Sequence, residues 1–122
     1  MTVTMPLVEQ RMAALRMAND VRLTNARVRR QVGMLGQRDG MLAVADLLER
    51  LDPSASAMPI SRLLRSVHRL GDRKARRLLN HAGIVSGDRR VDQLTVRQRA
   101  CLATALRHPT MLWPSTVLRS AA

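Results

Sequence analysis

Apolar residues recur at intervals of three and four along the first third of the chain, which is the spacing of one face of a helix. Arg11 and Asn25 interrupt this face. The pattern predicts a long helix of about 25 residues that begins near Pro6 and frays toward Gly33. The face comprises Leu7, Ala14, Ala18, Val21, Val28, Val32 and Leu35.

A second apolar segment follows Asp39 and is denser than a single helical stripe. We therefore expect a helix that is buried on two sides and forms the centre of the core, with Asp39 as its N-cap. Asp52 and Pro53 are expected to end this helix. Residues 54–58 are small or polar and predict a loop, which is the best internal boundary of the chain.

Three further helices are predicted in the C-terminal half. The first begins near Pro59 and ends near Val67, and the second covers residues 72–82. The third begins at Thr95, where Gln98 three residues later completes a capping box. The inward positions of this last helix are predicted to be Val96, Ala100, Ala103 and Leu106.

Two turns separate these three helices. The first is a short hairpin at Gly71, because glycine supplies the backbone freedom that a tight turn needs. The second turn is longer and runs from Val85 to Leu94. Gly83 followed by Ile84 is typical of a helix that ends on a glycine with an apolar contact after it.

The composition favours a small all-helical protein. Of the 122 residues 46% are hydrophobic, but Phe and Tyr are absent, so the core must use Leu, Val, Ala and the 8 Met residues, which favour helices. The single cysteine, Cys101, allows no disulfide within the chain and has no neighbours suited to a metal cage, so no metal or other cofactor is expected. No signal peptide and no membrane span are readable, so we expect a cytoplasmic protein without a membrane partner.

These patterns divide the chain into three parts. Residues 1–52 hold the long helix and the second helix, residues 53–109 hold the region with two turns, and residues 110–122 form an apolar tail that contains Trp113. Because a core of fewer than about 80 residues is weak on its own, we expect the N-terminal helices to pack on the C-terminal part. The tail is expected to fold back on the helices, with a partner-binding tail as the alternative.

Positive charge is concentrated around the hairpin. The net charge is +12, and residues 60–110 account for +9 of it, with twelve basic residues against three acidic ones. This distribution is the footprint expected for a polyanionic partner. A second basic stretch, from Arg22 to Arg38, has five Arg and no acid, and it is either a solvated helix face or a second surface that follows phosphates.

The stretch from His68 to Leu79 combines the tight turn with cations. Arg73 and Lys74 open a helix whose first N–H groups point outward and whose dipole favours an anion. Arg is also the better bidentate ligand for phosphate. The stretch resembles a helix-hairpin-helix motif, with Arg69 in place of its usual first hairpin glycine. The alternative is a helical hairpin whose charges are only solvated.

From Pro59 to His108 the order of helices and turns is that of a helix-two-turns-helix arrangement. The region resembles the actinobacterial integration host factor family of nucleoid-associated proteins, and more distantly a ribosomal small-subunit protein and the formamidopyrimidine-DNA glycosylases. The residues that carry the resemblance are Leu63, Leu64, Leu70, Gly71, Lys74, Ala75, Arg89, Arg90, Arg97, Gln98 and Arg99. The long N-terminal helix also suits this family, of which the chain would be a divergent, phage-borne member.

The resemblance implies a nucleoid-associated protein that binds double-stranded DNA with little sequence preference, bends or compacts it, and catalyses no reaction. The residues predicted to contact DNA are Arg69, Gly71, Arg73, Lys74, Arg77, Arg89, Arg90 and Arg97. The chain departs from the family at His68, where a proline wedge is usual, and at Asp72 and Asp92, where cations are expected.

Two other functions are compatible with the sequence. One is RNA binding, as in the ribosomal relative, although the chain lacks the basic tail of that protein and the aromatic residues on which single strands stack. The other is a phage factor that binds a host or recombination protein through Met- and Leu-rich surface. We expect no enzyme and no small-molecule substrate, because no Ser-His-Asp or Cys-His arrangement is readable and the three His have no metal-binding spacing.

Overall fold

The computed structural model describes residues 7–111. Helices account for 77% of these residues and no strand occurs among them, so the predicted all-α fold with a long N-terminal helix is confirmed. Pro6 and the tail from Leu112 onward lie outside the described residues. The α-helices are α1 (Leu7–Met34), α2 (Gln37–Arg50), α3 (Pro53–Ser56), α4 (Ile60–Arg65), α5 (Gly71–His81) and α6 (Val96–Arg107), with 3₁₀ turns at Val91–Gln93 and Pro109–Met111.

Helix α2 forms the centre of the core, as its dense apolar pattern predicts. Met41, Val44, Ala45 and Leu48 are buried, and α2 packs against α1, α4 and most extensively α6. One hydrophobic cluster joins these residues to buried side chains of α4, α5 and α6. The expectation that the N-terminal helices pack on the C-terminal part is therefore confirmed for the described residues.

Polar contacts reinforce the packing of α6 on α2. The guanidinium of Arg107 lies 2.8 Å from both Asp46 and Glu49. The hydrogen bonds that Arg107 donates to Glu49, and secondarily to Asp46, raise the pKa of Arg107 above its ordinary value. Two turns earlier in α6, Arg99 donates a 3.1 Å hydrogen bond to the carbonyl of Leu48. These contacts fix α6 beside the second half of α2.

The predicted start of α2 is wrong. The helix begins at Gln37 with Gly36 as its N-cap, and the N–H of Gly40 already donates a 2.7 Å helical bond to the Gly36 carbonyl. Asp39 therefore lies in the first turn rather than before it. A carboxylate there is still favourable, because it faces the positive end of the helix dipole.

The loop predicted for residues 54–58 is also wrong in part, because α3 occupies Pro53–Ser56. Helix α2 ends at Arg50, with Leu51 as its left-handed C-cap, and the Asp52 N–H donates to the Leu47 carbonyl at 3.1 Å. Asp52 also caps the next helix: its carboxylate accepts hydrogen bonds from the Ser54 hydroxyl at 2.6 Å and the Ser54 N–H at 3.0 Å. These two bonds lower the pKa of Asp52. The signal that ends α2 is thus equally a signal that starts a helix, with Pro at its first position.

The inward face of α6 differs from the prediction at two of four positions. Ala103 and Leu106 are buried, but Val96 is 73% exposed and Ala100 is exposed as well. The buried face instead includes Leu102. The capping box at the start of α6 is confirmed, with the Thr95 hydroxyl accepting from the Gln98 N–H at 3.0 Å and the Gln98 side chain accepting from the Thr95 N–H at 3.0 Å.

Candidate nucleic-acid interface

The second turn is attached to the start of α4 by backbone hydrogen bonds. The N–H of Ile60 donates to the carbonyl of Arg89 at 2.8 Å, and the N–H of Ser61 donates to the carbonyl of Gly87 at 3.0 Å. These bonds satisfy N–H groups that a helix start otherwise leaves without an acceptor. Because its carbonyls face α4, the turn has a fixed path on the protein, and the side chain of Arg89 is exposed.

Gly87 makes this attachment possible. A Cβ built at this position would lie 2.7 Å from the Cβ of Ser61 and 3.3 Å from Leu79, and the first of these distances is closer than real Cβ atoms approach a neighbour. The turn can lie this close to α4 only because residue 87 has no side chain. Gly87 is thus a structural requirement for the position of the second turn.

The second turn is preceded by the predicted glycine cap. Gly83 has φ +72°, and the N–H of Ile84 donates to the carbonyl of Leu79 at 2.9 Å. The Gly83 N–H donates to the carbonyl of Asn80 at 3.1 Å, and Ile84 is 3% exposed. This is the Schellman arrangement, so the predicted end of α5 is confirmed.

The hairpin between α4 and α5 contains two residues with left-handed backbone. Arg69 has φ +60° and Gly71 has φ +74°. Val67 and Leu70 are 2% and 3% exposed and fix the hairpin to the core. Arg69 therefore adopts the backbone that a glycine would adopt more easily, at the position where the helix-hairpin-helix motif usually has one.

The start of α5 has no side-chain cap. Its N-cap residue is Leu70, whose side chain has no acceptor for the first N–H groups of the helix, in contrast to the capping box of α6. Gly71, Asp72 and Arg73 are exposed to solvent. A helix start with unsatisfied N–H groups and the positive end of the dipole favours an anionic ligand.

Cations surround this helix start. Arg73, Arg76 and Arg77 are exposed and line a common surface depression on α5, and Lys74 is half-buried. Asp72 is the acidic residue among them, and its carboxylate lies 3.5 Å from the guanidinium of Arg65 on α4. Asp72 thus does not cap α5, and its charge is partly compensated by Arg65.

The two turns lie at opposite ends of α4, whose six residues span about 9 Å. A groove of about 390 Å³ runs between them and is lined by residues of α4, α5 and the second turn. The cationic residues of this groove are Arg65 and Arg76. Neither is among the predicted site residues, since only the fold shows that α4 and α5 form its walls.

The remaining predicted cations are placed less uniformly. Arg90 forms an ion pair with Asp92 at 3.1 Å, so its charge is partly compensated, and its side chain remains 52% exposed. Arg97 is exposed in the first turn of α6. The neighbouring Gln98 donates to the carbonyl of Gly83 at the C-terminal end of α5, at 3.3 Å. Arg97 therefore lies near the C-terminal end of α5, and the hairpin lies at the other end of this helix, about 16 Å away.

Among residues 7–111 no group of three or more His, Cys, Asp or Glu side chains is arranged to hold a metal ion. No helix in this part of the chain has the length and apolarity needed to cross a membrane. Comparison with protein-family models, with characterised proteins and with solved structures finds no match to this chain.

Proposed function

We propose that the protein binds double-stranded DNA through the surface formed by the hairpin, the start of α5 and the second turn, in the manner of the actinobacterial integration host factors. In this proposal the protein holds the phosphate backbone with little sequence preference, and bends or compacts the duplex without catalysing a reaction. The observation that carries the proposal is the uncapped, exposed start of α5, surrounded by arginines, beside a second basic turn.

A phosphate at the start of α5 would accept hydrogen bonds from the N–H groups there and from Arg73, with Arg69 close by on the hairpin. Charge-assisted bonds of this kind are stronger than neutral ones and hold phosphate oxygens in a defined geometry. Gly71 has no side chain, so the backbone at this position can approach the DNA closely. The space in front of it is open, since a Cβ built there meets no atom of the protein within 4 Å. The hairpin would thus supply one phosphate site.

The second turn would supply a neighbouring site on the same strand. Its separation from the hairpin, about 9 Å along α4, is short enough for both turns to contact the backbone of one duplex. Arg89 and Arg90 would contact phosphates there. Contacts of this type position a protein on DNA but do not read its sequence, which is the reason to expect little sequence preference.

Replacing Arg89 and Arg90 together with alanine tests whether the charge acts locally. The matched control replaces Arg16 and Arg50, exposed residues of α1 and α2 that lie outside this surface, so that both variants have the same net charge. We expect the first variant to bind short duplexes of unrelated sequence more weakly by the same factor, with the salt slope reduced by about 1 for each phosphate that is no longer bound. The control variant is expected to bind as the wild type does.

Fluorescence anisotropy with labelled duplexes measures both variants. Equally weakened binding in the two variants would mean that the protein acts through its net charge rather than through this surface. Tighter binding of duplex RNA than of duplex DNA by the wild type would favour the ribosomal type of function instead.

A further inference from the structure

Helix α1 has an apolar surface that the described part of the chain leaves uncovered. None of residues 7–27 is buried, although this stretch is about 30 Å long. Leu7, Leu15, Met17 and Leu23 are 61% to 70% exposed. Exposed apolar surface of this extent marks an interaction site.

The apolar stripe of α1 has the spacing of a coiled-coil seam. Near its C-terminal end Val28 and Val32 are 6% and 3% exposed and belong to the core. The same stripe continues toward the N-terminus through Val21 and Ala18, at intervals of three and four residues once Asn25 is included. Asn25 lies within the seam, where a single polar residue specifies the register of paired helices. The interface inside the molecule therefore extends directly into a seam in which no residue from 7 to 27 is buried.

We propose that the uncovered seam of α1 pairs with α1 of a second copy of this chain, in antiparallel orientation. Small residues, Ala14 and Ala18, lie at the centre of the seam and allow two backbones to approach closely. Leu15 and Met17 lie on either side of it and would cover the contact. A seam with small residues at its centre and larger ones at its edges suits an identical helix.

Charge determines the orientation. The chain carries a net charge of +12, of which residues 60–110 hold +9. A parallel pair would bring both basic regions to one end and would place Arg11 of the seam against its counterpart. An antiparallel pair separates the basic regions by the uncovered length of α1, about 30 Å, whereas the Debye length is about 8 Å at physiological ionic strength.

A membrane surface fits α1 less well. Besides the seam, apolar residues occur on a second side of the helix, at Val8, Met12 and Leu23, which are 68%, 49% and 64% exposed. A helix that lies in a membrane interface has one apolar face and one strongly polar face. The two-sided pattern of α1 favours a protein partner.

Sedimentation velocity of the full chain over a range of concentrations tests the proposal. The wild type is expected at twice the 13.6 kDa mass of one chain. Val21→Glu, which places a charge in the seam, is expected to weaken the dimer at least tenfold. The matched control is Leu23→Glu, on the opposite side of α1, which makes the same charge change at a more exposed position and is expected to leave the dimer intact.

Several outcomes would overturn the proposal. A wild type that is monomeric at all concentrations would do so. If residues of the same chain then cover the seam, Val21→Glu lowers the melting temperature of the monomer. If the seam binds a membrane instead, the monomer cosediments with anionic vesicles. Equal weakening by both variants would exclude the seam as the contact. Small-angle scattering tests the orientation: we expect two separated maxima in the distance distribution, and a single compact maximum at dimer mass would contradict the antiparallel pair.

The dimer does not rest on the proposed DNA binding. Val21→Glu leaves the hairpin and both turns unchanged, so it is expected to bind a single short duplex as the wild type does. If the proposed function also holds, an antiparallel dimer presents one DNA-binding surface near each end and would bridge two duplexes. Failure to dimerise and failure to bind a duplex are therefore separate results.

Discussion

The left-handed backbone of Arg69 leads to a prediction that separates stability from DNA binding. A non-glycine residue in this conformation costs about 1–2 kcal/mol. Glycine removes that cost but makes the unfolded chain more flexible, which offsets about 0.5–1 kcal/mol. Arg69→Gly should therefore stabilise the protein by up to about 1 kcal/mol, or raise the melting temperature by about 4 °C in a domain of this size.

The side chain of Arg69 adds little to the folded state, which makes this site suitable for the test. Arg69 is exposed, and it is the backbone carbonyl of this residue that accepts a hydrogen bond from the Gln37 side chain, at 3.1 Å. Substitution leaves that carbonyl in place. Three uncharged variants then differ chiefly in their tolerance of the left-handed region: glycine adopts it freely, asparagine adopts it more readily than most residues, and glutamine does not.

Thermal unfolding and DNA binding are measured for all three variants. The expected order of melting temperature is Arg69→Gly above Arg69→Asn above Arg69→Gln, with the last close to the wild type. All three remove the same charge, so their salt slopes should fall by the same amount, about 1. A glycine variant no more stable than the glutamine variant would refute the left-handed backbone at this position. An unchanged salt slope in all three would remove Arg69 from the DNA interface.

Two further predictions concern the glycines of the two turns. Gly71→Val should lower DNA affinity at constant net charge, since a β-branched side chain both strains a φ of +74° and stands between the backbone and the phosphate. Circular dichroism and melting curves check that the variant is folded. A folded variant with full affinity would mean that the hairpin only connects two helices. Gly87→Ala should destabilise the protein by about 1–3 kcal/mol in chemical denaturation, because its Cβ would lie 2.7 Å from that of Ser61, and an unchanged midpoint would contradict the close attachment of the second turn to α4.

The parts of the fold that the sequence predicts well depend on local chemistry. The capping box of Thr95 and Gln98 and the glycine end at Gly83 each require only residues a few positions apart, and both occur as expected. The density of apolar residues in α2 predicts its central place, because a helix that is apolar on more than one side must have neighbours on more than one side. Local signals are ambiguous where one residue serves two helices, as Asp52 does.

The parts that the sequence does not predict depend on the tertiary arrangement. The periodicity of α6 is compatible with more than one inward face, and the packing on α2 selects the one that leaves Val96 exposed. The stripe of α1 extends along the whole helix apart from Arg11 and Asn25, yet only Val28 and Val32 in it are buried, because the body of the protein ends there. At the candidate site, the ion pair of Arg65 with Asp72 becomes visible only when the hairpin brings α4 and α5 together.

The dependence of DNA affinity on salt concentration tests the central claim most directly. Binding of the wild type to two short duplexes of unrelated sequence is measured by fluorescence anisotropy over a range of salt concentrations. Five or six phosphate contacts predict that the logarithm of the affinity falls with the logarithm of the salt concentration with a slope of roughly −5 for both duplexes. A flat salt response, or no binding at low salt, would contradict the claim that this surface holds the DNA backbone.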